Sequence, residues 1–182
     1  MKIETRHETA FWLVVSVALL SSLIPGGPVE NRDFSHIHPG VLGAFNVFLT
    51  TLDMGSVVLA YFAVRRRRWA FNGAFYAALA FFGVYAVDLA QVFPQSPTPM
   101  SFVLSLIEVL GMTAAVPLMF AARRGMSEEQ GERAVVPASG ARYAIAASLV
   151  AVGIAIVWFA TESAMDSGLS AGASADLGTI AP

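Results

Sequence analysis

The sequence predicts an all-α fold, a multi-pass transmembrane bundle of about five helices, and three observations predict it. Apolar runs long enough to cross a bilayer follow one another, separated by Pro, Gly and charge. Positive charge is confined to short segments that alternate with segments nearly free of it. Composition agrees: 56% of residues are hydrophobic, 13% are charged, and the mean hydropathy is +0.65. Length alone, at 182 residues, would suggest one soluble domain, and the composition overrides it.

The elements follow in chain order. Residues 1–9 are polar, with Lys2 and Arg6, and the apolar run 10–24 stops at Pro25-Gly26-Gly27-Pro28. A basic start and a run of this length also fit a cleaved signal sequence. Glu4 and Glu8 flank the run, however, and no A-x-A site follows it. An uncleaved first helix over 8–24 is therefore expected. The segment 29–40 is a polar loop carrying Glu30, Arg32, Asp33, His36 and His38, and Pro39 is placed to start the next helix.

The second helix, 41–64, organises the rest. It is apolar apart from Asn46, Thr50, Thr51, Asp53 and Ser56. At ~1.5 Å per residue it measures ~36 Å, against a hydrocarbon core of ~30 Å. It ends on Arg65, Arg66, Arg67 and Arg68, each of which would cost roughly 2.5–3.5 kcal/mol at mid-membrane. Asp53 falls ~18 Å from either end, where an ionisable side chain is expensive and points to function.

A third helix is expected over 69–93, with Trp69 at the interface, and the uncharged segment 94–99 turns the chain tightly. The fourth, 100–122, ends on Arg123-Arg124. Its Pro117 removes the donor for the Thr113 carbonyl and should kink it. A polar loop, 125–142, leads to a fifth helix over 143–161. There Ala147, Ala151 and Ala155 recur every four residues, a small-residue seam suited to helix contact on a peripheral scaffold. Residues 162–182, mostly Ser, Ala and Gly, are expected to form a flexible tail outside the membrane.

Alternate segments hold ten and one of the Lys and Arg residues. The positive-inside rule then puts the N-terminus in the cytoplasm and the C-terminus outside. Arginine exceeds lysine and alanine is abundant, so the membrane is read as a bacterial inner membrane.

Three carboxylates lie inside the spans: Asp53, Asp88 and Glu108. Asn46, Thr50 and Asp53 share one face of the second helix, and Ser101, Ser105 and Glu108 repeat that spacing in the fourth. Tyr85 and Asp88 stand i, i+3 in the third. Measured from the outer ends, Asp88 is ~8 Å deep, Glu108 ~12 Å and Asp53 ~18 Å. No Lys, Arg or His lies in a span to pair with them. Either the acids hold protons, or a cation sits among them, or the first loop dips in with Arg32 or its histidines. Glu108 and Asp53 are the candidate titrating ligands. Asp88 and Tyr85 would stand at the outer mouth, with Asn46, Thr50 and Ser105 orienting the acids. Interhelical hydrogen bonding, at about 0.6 kcal/mol each, is the plainer use of such side chains.

His36 and His38 would face one ion if the segment were extended, so the one cofactor reading is a metal there. No haem ligand lies in a span, and no phosphate-binding or nucleophile-elbow motif is present. Glu128 to Arg133 reads E-E-x-x-x-R, similar to a motif of CAAX-type intramembrane proteases, but no histidine follows it. The chain has no cysteine, and nucleic-acid binding has no support. Lipid, with a membrane-protein partner or a second copy, is the expected company. Ion, proton or small-ligand handling through the carboxylates is the expected function. A non-catalytic accessory subunit of a larger membrane complex is the alternative, and a metal-dependent enzyme the least favoured.

Overall fold

A computed structural model describes residues 4–24, 29–30, 32–128 and 151–163. All regular structure among them is helical: α1 (Thr5–Ser21), α2 (Pro39–Val64), α3 (Arg68–Leu89), α4 (Phe102–Glu128) and a shorter apolar helix, α5 (Ala151–Ser163). Helices α2, α3 and α4 are each long and apolar enough to cross a membrane.

The helix ends differ from expectation for local reasons. The His38 side chain accepts a hydrogen bond from the Gly40 N–H, and Pro39 supplies the first helical position, so α2 begins earlier than expected. It stops where Arg66 turns left-handed, at φ 57°, and the Arg67 N–H closes back on the Phe62 carbonyl at 3.0 Å. The same closure ends α3 four residues before Phe93. Gln91 has φ 53°, and the Val92 N–H donates to the Val87 carbonyl at 3.0 Å. Ser101 caps α4 by accepting from the Leu104 N–H at 3.1 Å. Helix α4 runs unbroken through Pro117 and past Arg124 to Glu128, so its last turn occupies what reads as loop. The first part of the expected fifth helix, 143–150, and the tail from 164 lie outside the described residues.

The first four helices form a ring. Each packs on its neighbours, α1 on α2, α2 on α3, α3 on α4 and α4 back on α1, so that α2 and α4 stand diagonally. The α3–α4 contact is the broadest and is built from small residues. Ala74, Ala77 and Ala78 of α3 share one buried cluster with Ala115 and Ala122 of α4. Two glycines let aromatic rings lie flat on α4: a Cβ at Gly111 would collide with Tyr85, and one at Gly125 with Phe71. Large apolar side chains point outward instead, among them Phe102, Tyr76 and Phe120. That inverted pattern suits a lipid surround.

One end of the ring is basic. Arg124 pairs with Glu8 at 3.3 Å, Arg66 with Glu4 at 3.8 Å, and Thr5 donates to Glu128. The start of α1, Arg66 after α2 and Arg124 near the end of α4 thus share an end. At the other end residues 29–30 and 32–38 fold over the bundle as a strap. Its Glu30, Arg32 and Phe34 are buried, and Phe34 packs on Leu42. Asp33 ties the strap to the α3–α4 turn: its N–H donates to Thr98 at 3.2 Å and its carbonyl accepts from Ser96 at 2.9 Å.

Candidate functional site

The centre of the strap end is a single arginine in a nest of acids. Arg32 donates through Nη1 and Nη2 to the two oxygens of Asp88, at 2.8 and 2.9 Å. Its other edge, Nε and Nη2, grips Glu30 at 3.0 and 2.6 Å. Nη2 also lies 4.0 Å from Glu108, and the guanidinium stands 5.2 Å from the centre of the Phe34 ring. Burial by itself would lower the Arg32 pKa. The hydrogen bonds and charges of Asp88 and Glu30 more than reverse that, so the group is held above its ordinary value and stays charged.

Glu108 lies beneath this pair. It is wholly buried, and neither carboxyl oxygen has a hydrogen-bond donor among the described residues. Both it and Asp88 face Arg32, at 4.0 and 2.8 Å. Ionised carboxylates only accept, so the two can bond to each other only when one of them carries a proton. Tyr85, buried on α3 with its ring on Gly111, lies in the field of both Glu108 and Asp53, and its hydroxyl also has no partner among the described residues. Asp53 comes next. One oxygen accepts from Ser21 of α1 at 2.7 Å, and the other is buried without a partner among the described residues.

The structure therefore brings Asp53, Tyr85, Asp88 and Glu108 into one cluster. It takes the three proposed orienting residues elsewhere. Asn46 donates to Thr161 of α5 at 3.0 Å. Thr50 lines a groove of about 1110 Å³ with apolar walls between α2 and α5, beside Val47, Met54 and Val157. The Ser105 hydroxyl donates to the Ser101 carbonyl of its own helix at 3.2 Å. Spacing put Asn46, Thr50 and Asp53 on one face, but that face is broad enough to meet two neighbours, α1 and α5.

The histidines do not converge. The stretch 35–37 is a turn rather than an extended strand, closed by the Ile37 N–H on the Phe34 carbonyl. His36 is exposed, and His38 spends Nδ1 on the α2 cap. Among the described residues no three His, Asp or Glu side chains are grouped to hold a metal.

Glu30 and Ser21 lie outside the residues that spacing and depth point to, and Arg32 is one of three ways in which the sequence allows the acids to be balanced. A signal existed for the strap: Glu30, Arg32 and Phe34 alternate at the period of an extended segment with one buried face.

This cluster lies wholly within a region shared with other proteins. The chain belongs to the DUF8051 family, a domain of unknown function. The match covers residues 5–136. The family region thus holds α1 to α4, the strap and every residue of the acid cluster, while α5 and Thr161 fall outside it. No curated protein and no solved structure matches the chain.

Proposed function

We propose that this is a multi-pass protein of the bacterial inner membrane that handles a proton, an inorganic cation or a small ligand through Glu108, Asp88 and Asp53. The N-terminus and the basic end face the cytoplasm, by the ten-to-one distribution of Lys and Arg, and the strap end faces outward. One observation carries the reading: Glu108 is fully buried with two oxygens that no described donor meets, and it shares its nearest cation, Arg32, with Asp88. Side chains that only hold helices together are satisfied by their partners. An unsatisfied buried carboxyl costs several kcal/mol on the order expected for a lost charged hydrogen bond, and it is retained where an exchangeable occupant supplies the missing contact. Arg32 supports this by spending its hydrogen bonds on Asp88 and Glu30, leaving Glu108 as the exchangeable acid.

The test uses purified protein in liposomes loaded with a pH-sensitive dye, with thermal stability scanned against Na⁺, K⁺ and guanidinium. Glu108→Gln and Asp53→Asn should each abolish the ion or proton response of the wild type. Wild-type behaviour in both variants removes the proposal.

A second reading is an accessory subunit. Ala151 and Ala155, expected to form a seam, are exposed on α5 rather than packed on α2, which leaves small residues free for another membrane helix. Consistent co-purification of one partner in mild detergent, lost on Ala155→Leu, supports this reading over the first.

A further inference from the structure

Beyond the acid cluster, the bundle interior holds further polar atoms that the ring geometry lines up. Among the described residues the buried side-chain atoms without a partner are both Glu108 oxygens, the Tyr85 hydroxyl, Asp53 Oδ1, Ser56 Oγ and Ser16 Oγ. Glu108, Ser56 and Ser16 have no exposure, Tyr85 has 1% and Asp53 7%. They come from all four ring helices, so they are not one helix's local defect.

Their depths can be worked out from the helix rise. Taking the first residue of α4 as zero, Glu108 lies ~9 Å down and Gly111, on which the Tyr85 ring tip rests, ~13.5 Å. The contact of Thr5 with Glu128 fixes the foot of α1. From there Ser21, and with it Asp53, sits at ~15 Å. Ser56 is one turn further, at ~20 Å, and Ser16 at ~22 Å. Successive members differ by no more than ~5 Å in depth, so the unpartnered atoms form one descending series. Beyond Ser16, toward the basic end, Ala63, Ala70 and Phe71 form a buried apolar cluster, and Thr9 spends its hydroxyl on the Thr5 carbonyl.

We infer that these side chains line a water-holding half-channel that begins under the Arg32 strap, reaches the level of Ser16 and carries protons between Glu108 and Asp53. The inference rests on the carboxylate reading of the site and names its ligand, the proton. The transfer is a relay. Glu108 releases a proton into the bridging water, and Tyr85 takes one on its oxygen as it gives up its own. The Asp53 carboxylate receives the last, so the net movement is one proton and every oxygen regains its starting valence. Ser56 and Ser16 hold water beyond Asp53. The charged groups facing the path are Arg32, Glu30 and Asp88 at its mouth. The apolar plug keeps it from opening through the bundle, so a proton delivered to Asp53 leaves by the route it entered unless the helices move.

The chain has no cysteine, which makes the test direct. Ser56→Cys and Ser16→Cys are near-isosteric, and Ala115→Cys, a fully buried residue of the apolar core, is the dry control. Each full-length variant in liposomes is treated with Ag⁺, a probe close to water in size, and the remaining thiols are counted with a maleimide dye after denaturation. Ser56→Cys and Ser16→Cys should react at least tenfold faster than Ala115→Cys. Infrared spectra after transfer to D₂O should show the Asp53 and Glu108 carboxyl bands exchanging together, each assigned by Asp53→Asn and Glu108→Gln. Cysteines at 56 and 16 reacting no faster than the control overturn the half-channel, while a response still lost in Glu108→Gln leaves the acid site standing. Fast labelling with carboxyl bands that do not exchange overturns proton transfer. An unresponsive wild type removes the carboxylate reading itself, and the relay with it.

Discussion

Replacing Arg32 by Met tests the architecture of the strap end most severely. The side chain of Arg32 is 5% exposed, those of its partners Glu30 and Asp88 5% and 14%. Contacts this sheltered do not belong with surface ion pairs, which contribute about 0–1 kcal/mol. Four of its hydrogen bonds run at 2.6–3.0 Å, in the charge-assisted range. Removing one member of a buried pair leaves the other charge uncompensated and costs about 3–5 kcal/mol. Here three carboxylates lose their one cation. For a protein of this size ~1 kcal/mol moves Tm by about 2–4 °C, so Arg32→Met should melt roughly 6–20 °C lower in detergent.

The second half of the experiment separates charge from packing. Met retains much of the aliphatic stem, so lost volume is a small part of the effect. Asp88→Asn in the Arg32→Met background removes the orphaned charge, and the double variant should recover part of the lost Tm. Arg32→Lys keeps the charge but not the fork, and should fall between. Arg32→Met melting within 2 °C of wild type, with additive effects of the two substitutions, would refute the claim that the strap is anchored by this pair.

Two further predictions concern packing and pH. Gly111→Ala places a methyl group inside the Tyr85 ring and should cost about 1–3 kcal/mol, whereas Gly83→Ala meets nothing within 4 Å and should be neutral or stabilising; thermal melts of the pair decide it. Asp33 accepts from the Ser35 N–H, which holds its carboxyl below the usual range. The stabilisation is therefore complete above an ordinary carboxylate value of ~3.9 and disappears as pH falls through the depressed folded value. The NMR shift of the Ser35 amide should titrate with a midpoint below ~3.9, and Asp33→Asn should leave it flat.

The helices were legible because lipid imposes a crude rule that sequence obeys openly: apolar length, then arginine. Their ends were less so. Helix α3 stops at Leu89 because Gln91 takes a left-handed turn that glycine usually marks, and no glycine is there to announce it. Helix α4 outlasts Arg123-Arg124, whose side chains find partners on neighbouring helices: Arg123 lies 5.9 Å from the centre of the Phe75 ring of α3 and Arg124 reaches Glu8 of α1. At the site, the carboxylates and Tyr85 could be read from depth and spacing. Asn46 and Thr50 misled, since i, i+4, i+7 defines a face and not a partner, and α5 claims part of that face. Glu30 hid in a segment whose polar composition reads as a solvated loop. Ser16 and Ser56 carried no signal beyond being hydroxyls in apolar helices.

The strap explains why acids are tolerated in these helices at all. A cation placed within a span would have paired permanently with its acid and made a structural bridge. Arg32 instead comes from outside the helices and reaches down, so its hold on Asp88 depends on a segment tied mainly by Asp33, Ser96, Thr98 and Phe34. Its two forks satisfy Asp88 and Glu30 and stop 4.0 Å short of Glu108. A design serving stability alone would have filled that last gap or replaced Glu108 by a hydrocarbon, which buried ion clusters often tolerate with gain. Leaving one carboxyl buried with no hydrogen-bond donor among the described residues is costly to folding, and the cost is understandable where the group must bind and release something that the folded chain does not itself provide.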